Sequence, residues 1–108
     1  MTGTVGIRAG CLVIIDESGR VFVPIWRPWV RLQRDRHGWF VHDGRSGVVL
    51  RPGDRTVGAG GYLIEPSGGE GSWWTRARVN AFVTPDIPRR CGPGVISFHS
   101  FERRDRPD

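Results

Sequence analysis

The stretch CLVIIDESGRVFVPIW, residues 11–26, decides the fold because it places two apolar runs on either side of a turn. Residues 11–15 form a continuous apolar run rich in β-branched side chains, which predicts a central strand covered on both faces. Residues 16–19 supply turn chemistry and residues 20–26 predict the returning strand of a hairpin. Pro24 has no N–H for a ladder, so its side of that strand should face an edge or a bulge.

Alternation of apolar and polar residues recurs along the chain and predicts further short strands separated by turns. These strand-like runs are residues 30–34, 39–43, 48–51, 55–59 and 94–101. Glycines 58, 60 and 61 remove side chains where a tightly curved sheet would crowd them. We therefore predict an all-β fold, a small five- or six-stranded OB-like or partly open barrel, as one domain over residues 1–101.

Three segments have a weaker pattern. Residues 65–72 contain no apolar anchor and predict a mobile loop. Residues 73–83 alternate as a strand does, although Ser72 could equally cap a short helix over residues 73–82. Residues 102–108 alternate in charge and predict a disordered tail.

Length and composition restrict the function classes. A chain of 108 residues forms one small domain, which excludes a Rossmann sheet or a TIM barrel. No apolar run is long enough to cross a bilayer, and the start at Met1 lacks the features of a signal peptide. The expectation is a soluble protein without a membrane partner. It would be cytoplasmic by default, or secreted if a signal peptide has been removed ahead of Met1.

The charge is strongly basic, with 16 arginines, no lysine and 11 acidic residues giving a net charge of +5. A basic surface favours nucleic acid, because it releases counterions condensed on the phosphates. Acidic residues are scattered among the arginines, however, and a basic protein can use its charge for solubility alone. Charge by itself leaves both interpretations open.

The two cysteines lie beside the first and the last of the predicted strands. Cys11 opens the first strong strand and Cys91 precedes the last, and the first and last strands of a barrel often meet. A disulfide between them would close a loop of about 80 residues. The alternative is two buried thiols that act as small apolar side chains.

Five short motifs carry a resemblance to a known group of proteins. They are Gly10-Cys11-Leu12, Pro24-Ile25-Trp26, Gly53-Asp54, Gly60-Gly61-Tyr62 and Cys91-Gly92-Pro93. In this order they resemble the pattern of small bacterial OB-fold-like domains, several of which are exported. The resemblance implies a five-stranded barrel with Cys11 paired to Cys91, and it implies no ligand or activity.

Signatures of catalysis and of metal binding are missing from the sequence. It contains no GxSxG, P-loop, HExxH or GxGxxG motif. His37, His42 and His99 do not have the spacing of metal ligands, and a small-molecule or metal sensor at His42 and His99 is only a weak alternative. We therefore expect a binding protein without enzymatic activity, cofactor or metal.

Aromatic and arginine residues suggest two kinds of binding surface. Trp26, Arg27, Trp29, Arg31 and Arg34 interleave rings with guanidinium groups, which suits a single-stranded nucleic acid whose bases stack on the rings. The competing interpretation is that the tryptophans fill the barrel and the arginines stack over them. These five residues are the candidate nucleic-acid site.

Adjacent rings at Trp73 and Trp74 suggest a protein partner. Neighbouring residues of a strand point to opposite faces, so one ring should leave the core. We therefore favour a protein-interaction or structural module that binds a partner or self-associates through Trp73 and Trp74. A single-stranded nucleic-acid-binding domain is the alternative.

Strand periodicity also predicts the main core. The predicted core residues are Leu12, Ile14, Val21, Val23, Val41, Leu50 and Val57.

Overall fold

The computed structural model describes residues 1–64, 89–92 and 94–104, and in these ranges the regular elements are strands and one short 3-10 turn. The first five strands are β1 (Thr2–Arg8), β2 (Cys11–Asp16), β3 (Val21–Ile25), β4 (Val30–Asp35) and β5 (Gly38–Asp43). The other five are β6 (Val49–Leu50), β7 (Arg55–Ala59), β8 (Tyr62–Ile64), β9 (Val95–Ser97) and β10 (His99–Arg103). A 3-10 turn spans Arg89–Cys91. The all-β prediction is confirmed.

The larger sheet has seven strands in the order β10-β7-β1-β2-β3-β9-β8. β9 and β10 are separated along the chain only by Phe98, yet they lie near opposite ends of this order. The sheet must therefore curl until its two ends approach each other. Phe98 lies fully buried at this junction, with its ring stacked at 5.7 Å from that of Phe101. The sheet is curved but does not close into a barrel.

The predicted hairpin of residues 11–26 is present as β2 and β3. The carboxylate of Asp16 accepts hydrogen bonds from the backbone N–H groups of Ser18 at 3.0 Å and Arg20 at 2.8 Å. Gly19 adopts a φ of 84°, which a residue without a Cβ takes at little cost. The local turn chemistry therefore sets the hairpin.

Pro24 lies where β3 changes partner. β3 pairs with β2 only through Phe22 and Val21, and then runs parallel to β9 from Val23 to Ile25. The Val23 N–H donates to the Gly94 carbonyl at 2.8 Å, so the nitrogen of Pro24 points toward the side where pairing with β2 has ended. The missing N–H leaves no gap in either ladder, as predicted from the sequence.

A smaller sheet consists of β4, β5 and β6 in that order. β4 and β5 pair in register from Val30 opposite Asp43 to Asp35 opposite Gly38. The turn between them is fixed by the Asp35 carboxylate, which accepts the His37 N–H at 2.8 Å. The hairpin is therefore defined at its tip by its own sequence.

The core differs in part from the predicted set. Ile14, Val23, Val41 and Leu50 are buried as predicted, whereas Leu12, Val21 and Val57 are only partly buried. Further buried apolar side chains are Val5, Val13, Phe22, Val95, Ile96, Phe98 and Phe101.

Thr56 takes the inward position predicted for Val57. It is fully buried, and its hydroxyl donates to the Glu102 carbonyl at 2.7 Å. A buried hydroxyl is tolerated when it is hydrogen-bonded, so a polar residue can face the core of β7.

Cys11 and Cys91 form a disulfide with a Cα–Cα distance of 5.6 Å. Two buried thiols were the alternative prediction, and the structure contains the disulfide instead. Both cysteines are buried with Val13 and Val23 in a second apolar cluster. The bond fastens the short turn at Arg89–Cys91 to the start of β2.

The structure has more strands than the five or six predicted, because some of its strands were not anticipated from the sequence. β1 and β8 were not predicted, and the predicted strand 94–101 is two strands that break at Phe98. Residues 102 and 103 belong to β10, and the Arg104 N–H bonds the Arg55 carbonyl at 2.8 Å, so this part of the expected tail is ordered. The predicted loop 65–72, the helix or strand 73–83 and residues 105–108 lie outside the described residues.

Candidate functional site

The hairpin of β4 and β5 presents a large apolar and basic surface to solvent. Residues 31–35 of β4 are all exposed, and Leu32 and Trp39 keep 51% and 45% of their surface accessible. Leu32 pairs directly with Val41 of β5, which pairs in turn with Leu50 of β6, and both of these partners are completely buried. The small sheet is thus anchored in the core through β5 and β6 and exposed along β4 and at the hairpin tip.

One face of the tip carries Leu32, Arg34 and Trp39, and we call it the Leu32 face. Arg34 and Trp39 are directly opposite each other in the ladder, and Leu32 is two residues before Arg34 on β4. Residues two apart on a strand point to the same side. The guanidinium carbon of Arg34 lies 5.5 Å from the centroid of the Trp39 ring, which is cation–π distance.

The opposite face carries Arg31, Gln33 and Asp35 of β4 together with Phe40 of β5. Arg51 lies over the Phe40 ring at 4.8 Å and binds both carboxylate oxygens of Asp35, at 2.6 and 3.2 Å. This hydrogen bonding lowers the pKa of Asp35 and raises that of Arg51. The Asp35 carboxylate is therefore charged at neutral pH, and it already forms an ion pair with Arg51.

The base of the hairpin holds a second ring and guanidinium pair. The guanidinium carbon of Arg45 lies 3.6 Å from the centroid of Trp29, in close stacking contact. The loop that carries Arg45 is fixed by the buried Asp43, whose carboxylate accepts the N–H groups of Arg45 at 2.8 Å and Ser46 at 3.0 Å. The bond from Ser46 is the largest of the effects that lower the pKa of Asp43.

Charge on this region is strongly one-sided. Residues 27–51 contain six of the arginines but only two acidic residues, Asp35 and Asp43. Asp35 is paired with Arg51, and Asp43 is committed to backbone N–H groups. In the part of the chain that the structure describes, Arg27 and Arg31 form no ion pair. The hairpin surface therefore carries excess positive charge.

The five residues predicted to bind nucleic acid do not share one surface. Trp26 packs edge-on against the core rings of Phe98 at 5.7 Å and Phe101 at 5.2 Å. Arg31 and Arg34 are three residues apart on β4, so they point to opposite faces. Arg27 is exposed in the connection before β4, and Trp29 lies under Arg45.

Leu32, Trp39 and Arg45 contribute to this surface but were not among the site residues predicted from the sequence. A signal for Trp39 was present, because the turn residues at 35–38 set a register that places Trp39 opposite Arg34. Arg45 gave no such signal, since its contact with Trp29 depends on how the loop after β5 folds back.

Two further predictions concern the tryptophans at 73 and 74 and the side chains that could bind a metal. Trp73 and Trp74, predicted to bind a partner, lie outside the described residues. Within the described ranges, histidine, cysteine and acidic side chains form no cluster of three that could hold a metal. The same ranges contain no helix with the length and hydropathy needed to span a membrane.

Comparison with known proteins gives no relative for this arrangement. No protein family, no curated protein and no solved structure matches the chain. The resemblance to OB-fold-like domains therefore remains a prediction, and what this surface does has to be argued from its own chemistry.

Proposed function

We propose that this chain is a non-enzymatic binding module that recognises a protein partner through the Leu32 face. The observation that carries the proposal is the half-exposed pair Leu32 and Trp39 at the tip of a hairpin. Burying apolar surface contributes about 25 cal/mol per Å², so covering these two side chains favours association. Tryptophan and arginine are also the residues that contribute most at protein interfaces.

The side chains on the Leu32 face are suited to binding. Leu32 and Trp39 offer apolar contact, and Arg34 offers a charged fork of hydrogen-bond donors. These three residues include no histidine, cysteine or carboxylate, which are the side chains that most often serve as general acids and bases.

Single-stranded nucleic acid is the second candidate ligand. Its support is the stacked pair of Arg45 and Trp29 at 3.6 Å, within a region of six arginines and two aspartates. Rings beside guanidinium groups bind bases and phosphates together. The separation of Arg31 from Arg34 on opposite faces makes this the weaker proposal.

Selection of peptides from a displayed random library tests the protein-binding proposal. The wild-type chain should enrich a set of related peptides, and the double variant Leu32→Ser, Trp39→Ser should not bind them. Ile7→Ser is the matched control, because Ile7 is an exposed apolar residue on β1 of the larger sheet. Failure to enrich any peptide, or equal binding by the double variant, would overturn the proposal.

Titration with a mixed-sequence oligonucleotide tests the second candidate. Tryptophan fluorescence should change at low salt, and the affinity should fall steeply toward physiological salt because arginine contacts release counterions. Binding of a protein partner through apolar burial should instead persist as salt rises. No fluorescence change at low salt would eliminate nucleic acid.

Trp73 and Trp74 remain a further proposed contact for a partner or for self-association. Replacement of either ring with alanine should weaken binding of the selected peptides or reduce the mass seen by light scattering. A strictly monomeric chain whose peptide binding is unchanged in both variants would remove these residues from the proposal.

We further propose that the protein works in an oxidising compartment. The support is the disulfide between Cys11 and Cys91, since such bonds persist outside the reducing cytosol. Trapping thiols with a maleimide at the moment of cell lysis should leave both cysteines unlabelled. Full labelling of Cys11 and Cys91 in the native protein would contradict this.

A further inference from the structure

β4 lies at one side of the small sheet. The order β4-β5-β6 gives β4 a neighbour on one side only, among the strands that the structure describes. An edge strand presents unpaired N–H and C=O groups that can pair with another extended segment.

The free backbone groups of β4 can be identified from its hydrogen bonds. The Val30 N–H donates to the Arg27 carbonyl and so points away from β5, whereas the Trp29 carbonyl accepts from Gly44 on the β5 side. The direction alternates along an antiparallel strand. Leu32 and Arg34, two and four residues after Val30, therefore direct their N–H and C=O groups outward.

The charge beside this edge is positive on both faces. Arg34 lies on the Leu32 face and Arg31 on the opposite face, while Asp35 is held by Arg51. Side chains of an added strand would alternate between the two faces and would meet a guanidinium on each. Acidic side chains complement this arrangement, whereas β4 of a second copy would bring the same arginines against them.

We propose that β4 binds an acidic, extended segment of the partner as an additional strand, through the outward backbone groups of Leu32 and Arg34. This inference rests on the proposed protein-binding function and specifies how it is carried out. Leu32 and Trp39 supply the apolar contact on one face of the added strand, and Arg31 and Arg34 select for acidic residues.

Proline substitution on β4 distinguishes the contribution of backbone hydrogen bonds to binding from that of side-chain contacts. Leu32→Pro removes an outward N–H and leaves the ladder with β5 intact, because proline is tolerated where the N–H would face away from the sheet. Leu32→Ala is the matched control, since it loses the same side chain but keeps the N–H. Arg34→Pro with Arg34→Ala repeats the comparison if Leu32→Pro does not fold.

Two capped peptides of about ten residues serve as probes, one alternating valine with glutamate and one alternating valine with lysine. We expect the glutamate peptide to bind at least about tenfold more tightly than the lysine peptide, and Leu32→Pro to lose about tenfold more affinity than Leu32→Ala. In the wild-type chain, saturating glutamate peptide should slow hydrogen exchange of the Leu32 and Arg34 amides. That last measurement needs no variant.

The outcomes distinguish failure of strand addition from failure of the proposed protein-binding function. Equal loss in the proline and alanine variants, or unchanged exchange at Leu32 and Arg34, would overturn strand addition even if library-selected peptides bind. Equal binding of the lysine peptide, or no binding of the glutamate peptide, would overturn the acidic specificity. If neither the selected nor the designed peptides bind, the protein-binding function itself fails. Displacement of peptide by an oligonucleotide without any change at these amides would assign the surface to nucleic acid.

Discussion

The backbone of Gly60 passes directly against the Ser97 carbonyl, so closely that a β-carbon on Gly60 would overlap the oxygen. Gly60 also has a φ of 134°, a conformation that residues with a side chain rarely adopt. Gly60→Ala should therefore destabilise the protein by roughly 2–6 kcal/mol, from overpacking and backbone strain together. Urea unfolding followed by tryptophan fluorescence measures this change.

Gly61→Ala is the matched control for that experiment. An added β-carbon at Gly61 meets no atom within 4 Å, and the residue does not have a positive φ. Its unfolding midpoint should stay close to that of the wild type. A similar loss in both variants would show that the approach of Gly60 to Ser97 is not the cause.

Reduction of the disulfide should lower stability. Cys11 and Cys91 are 80 residues apart in sequence, so the bond restricts a long loop in the unfolded chain. The chain-entropy account gives about 3–5 kcal/mol for a loop of this size. The double variant Cys11→Ala, Cys91→Ala should show the same loss in urea unfolding, and a reductant should not destabilise that variant further. A wild-type chain insensitive to reductant would contradict the prediction.

Truncation of the core at Ile14 should be far more damaging than truncation at the exposed tip. Ile14 is completely buried with Phe22 and Phe98, and Ile14→Ala should cost about 2–5 kcal/mol through lost burial and the cavity left behind. Leu32→Ala removes a residue that is 51% exposed and should cost less than about 1 kcal/mol. Comparable losses in thermal unfolding would mean that the hairpin tip is packed.

Acid should weaken the loop that Asp43 supports. The pKa of Asp43 is lowered in the folded chain, so its charged form stabilises the fold above the ordinary carboxyl pKa of about 4, and this contribution is lost as pH falls through the folded value. Asp43→Asn keeps an acceptor oxygen but not the charge, and should cost about 1 kcal/mol at neutral pH.

The measurement is the difference in unfolding free energy between wild type and Asp43→Asn at neutral pH and near pH 3. The difference should shrink in acid, because the wild-type carboxyl becomes protonated too. Other acidic groups whose pKa is lowered, such as Asp16 and Asp35, affect both proteins equally. A difference that stays constant with pH would contradict the assignment.

Local sequence predicted the hairpins well and the long-range pairing poorly. The β2–β3 turn is held by hydrogen bonds to the Asp16 carboxylate and by the positive φ of Gly19, so it could be predicted from residues 16–19. β1 contains Gly3 and Gly6, which weaken the strand pattern, and it is stabilised as a strand by pairing with β2 and β7. The break at Phe98 likewise arises from two distant partners, β3 and β7.

Of the five residues predicted as a nucleic-acid site, only Arg34 belongs to the Leu32 face. Trp26 instead packs edge-on against Phe98 and Phe101 in the core, and Trp29 lies under Arg45. Arg31 and Arg34 point to opposite faces because they are three residues apart on one strand, and this could have been predicted from the sequence. The stacking of Arg45 on Trp29 could not have been predicted, because it depends on a tertiary contact.

The two strands on either side of Phe98 also determine when the molecule can fold during its synthesis. β9 and β10 occupy places near both ends of the larger sheet, and Cys91 lies four residues before the start of β9. A chain still emerging from the ribosome has neither of them, so it exposes the free sides of β3 and β7 until residue 103 is free. Such pairing between distant residues is slow to form. The larger sheet is therefore completed late, by two strands that follow all of its other strands in the sequence.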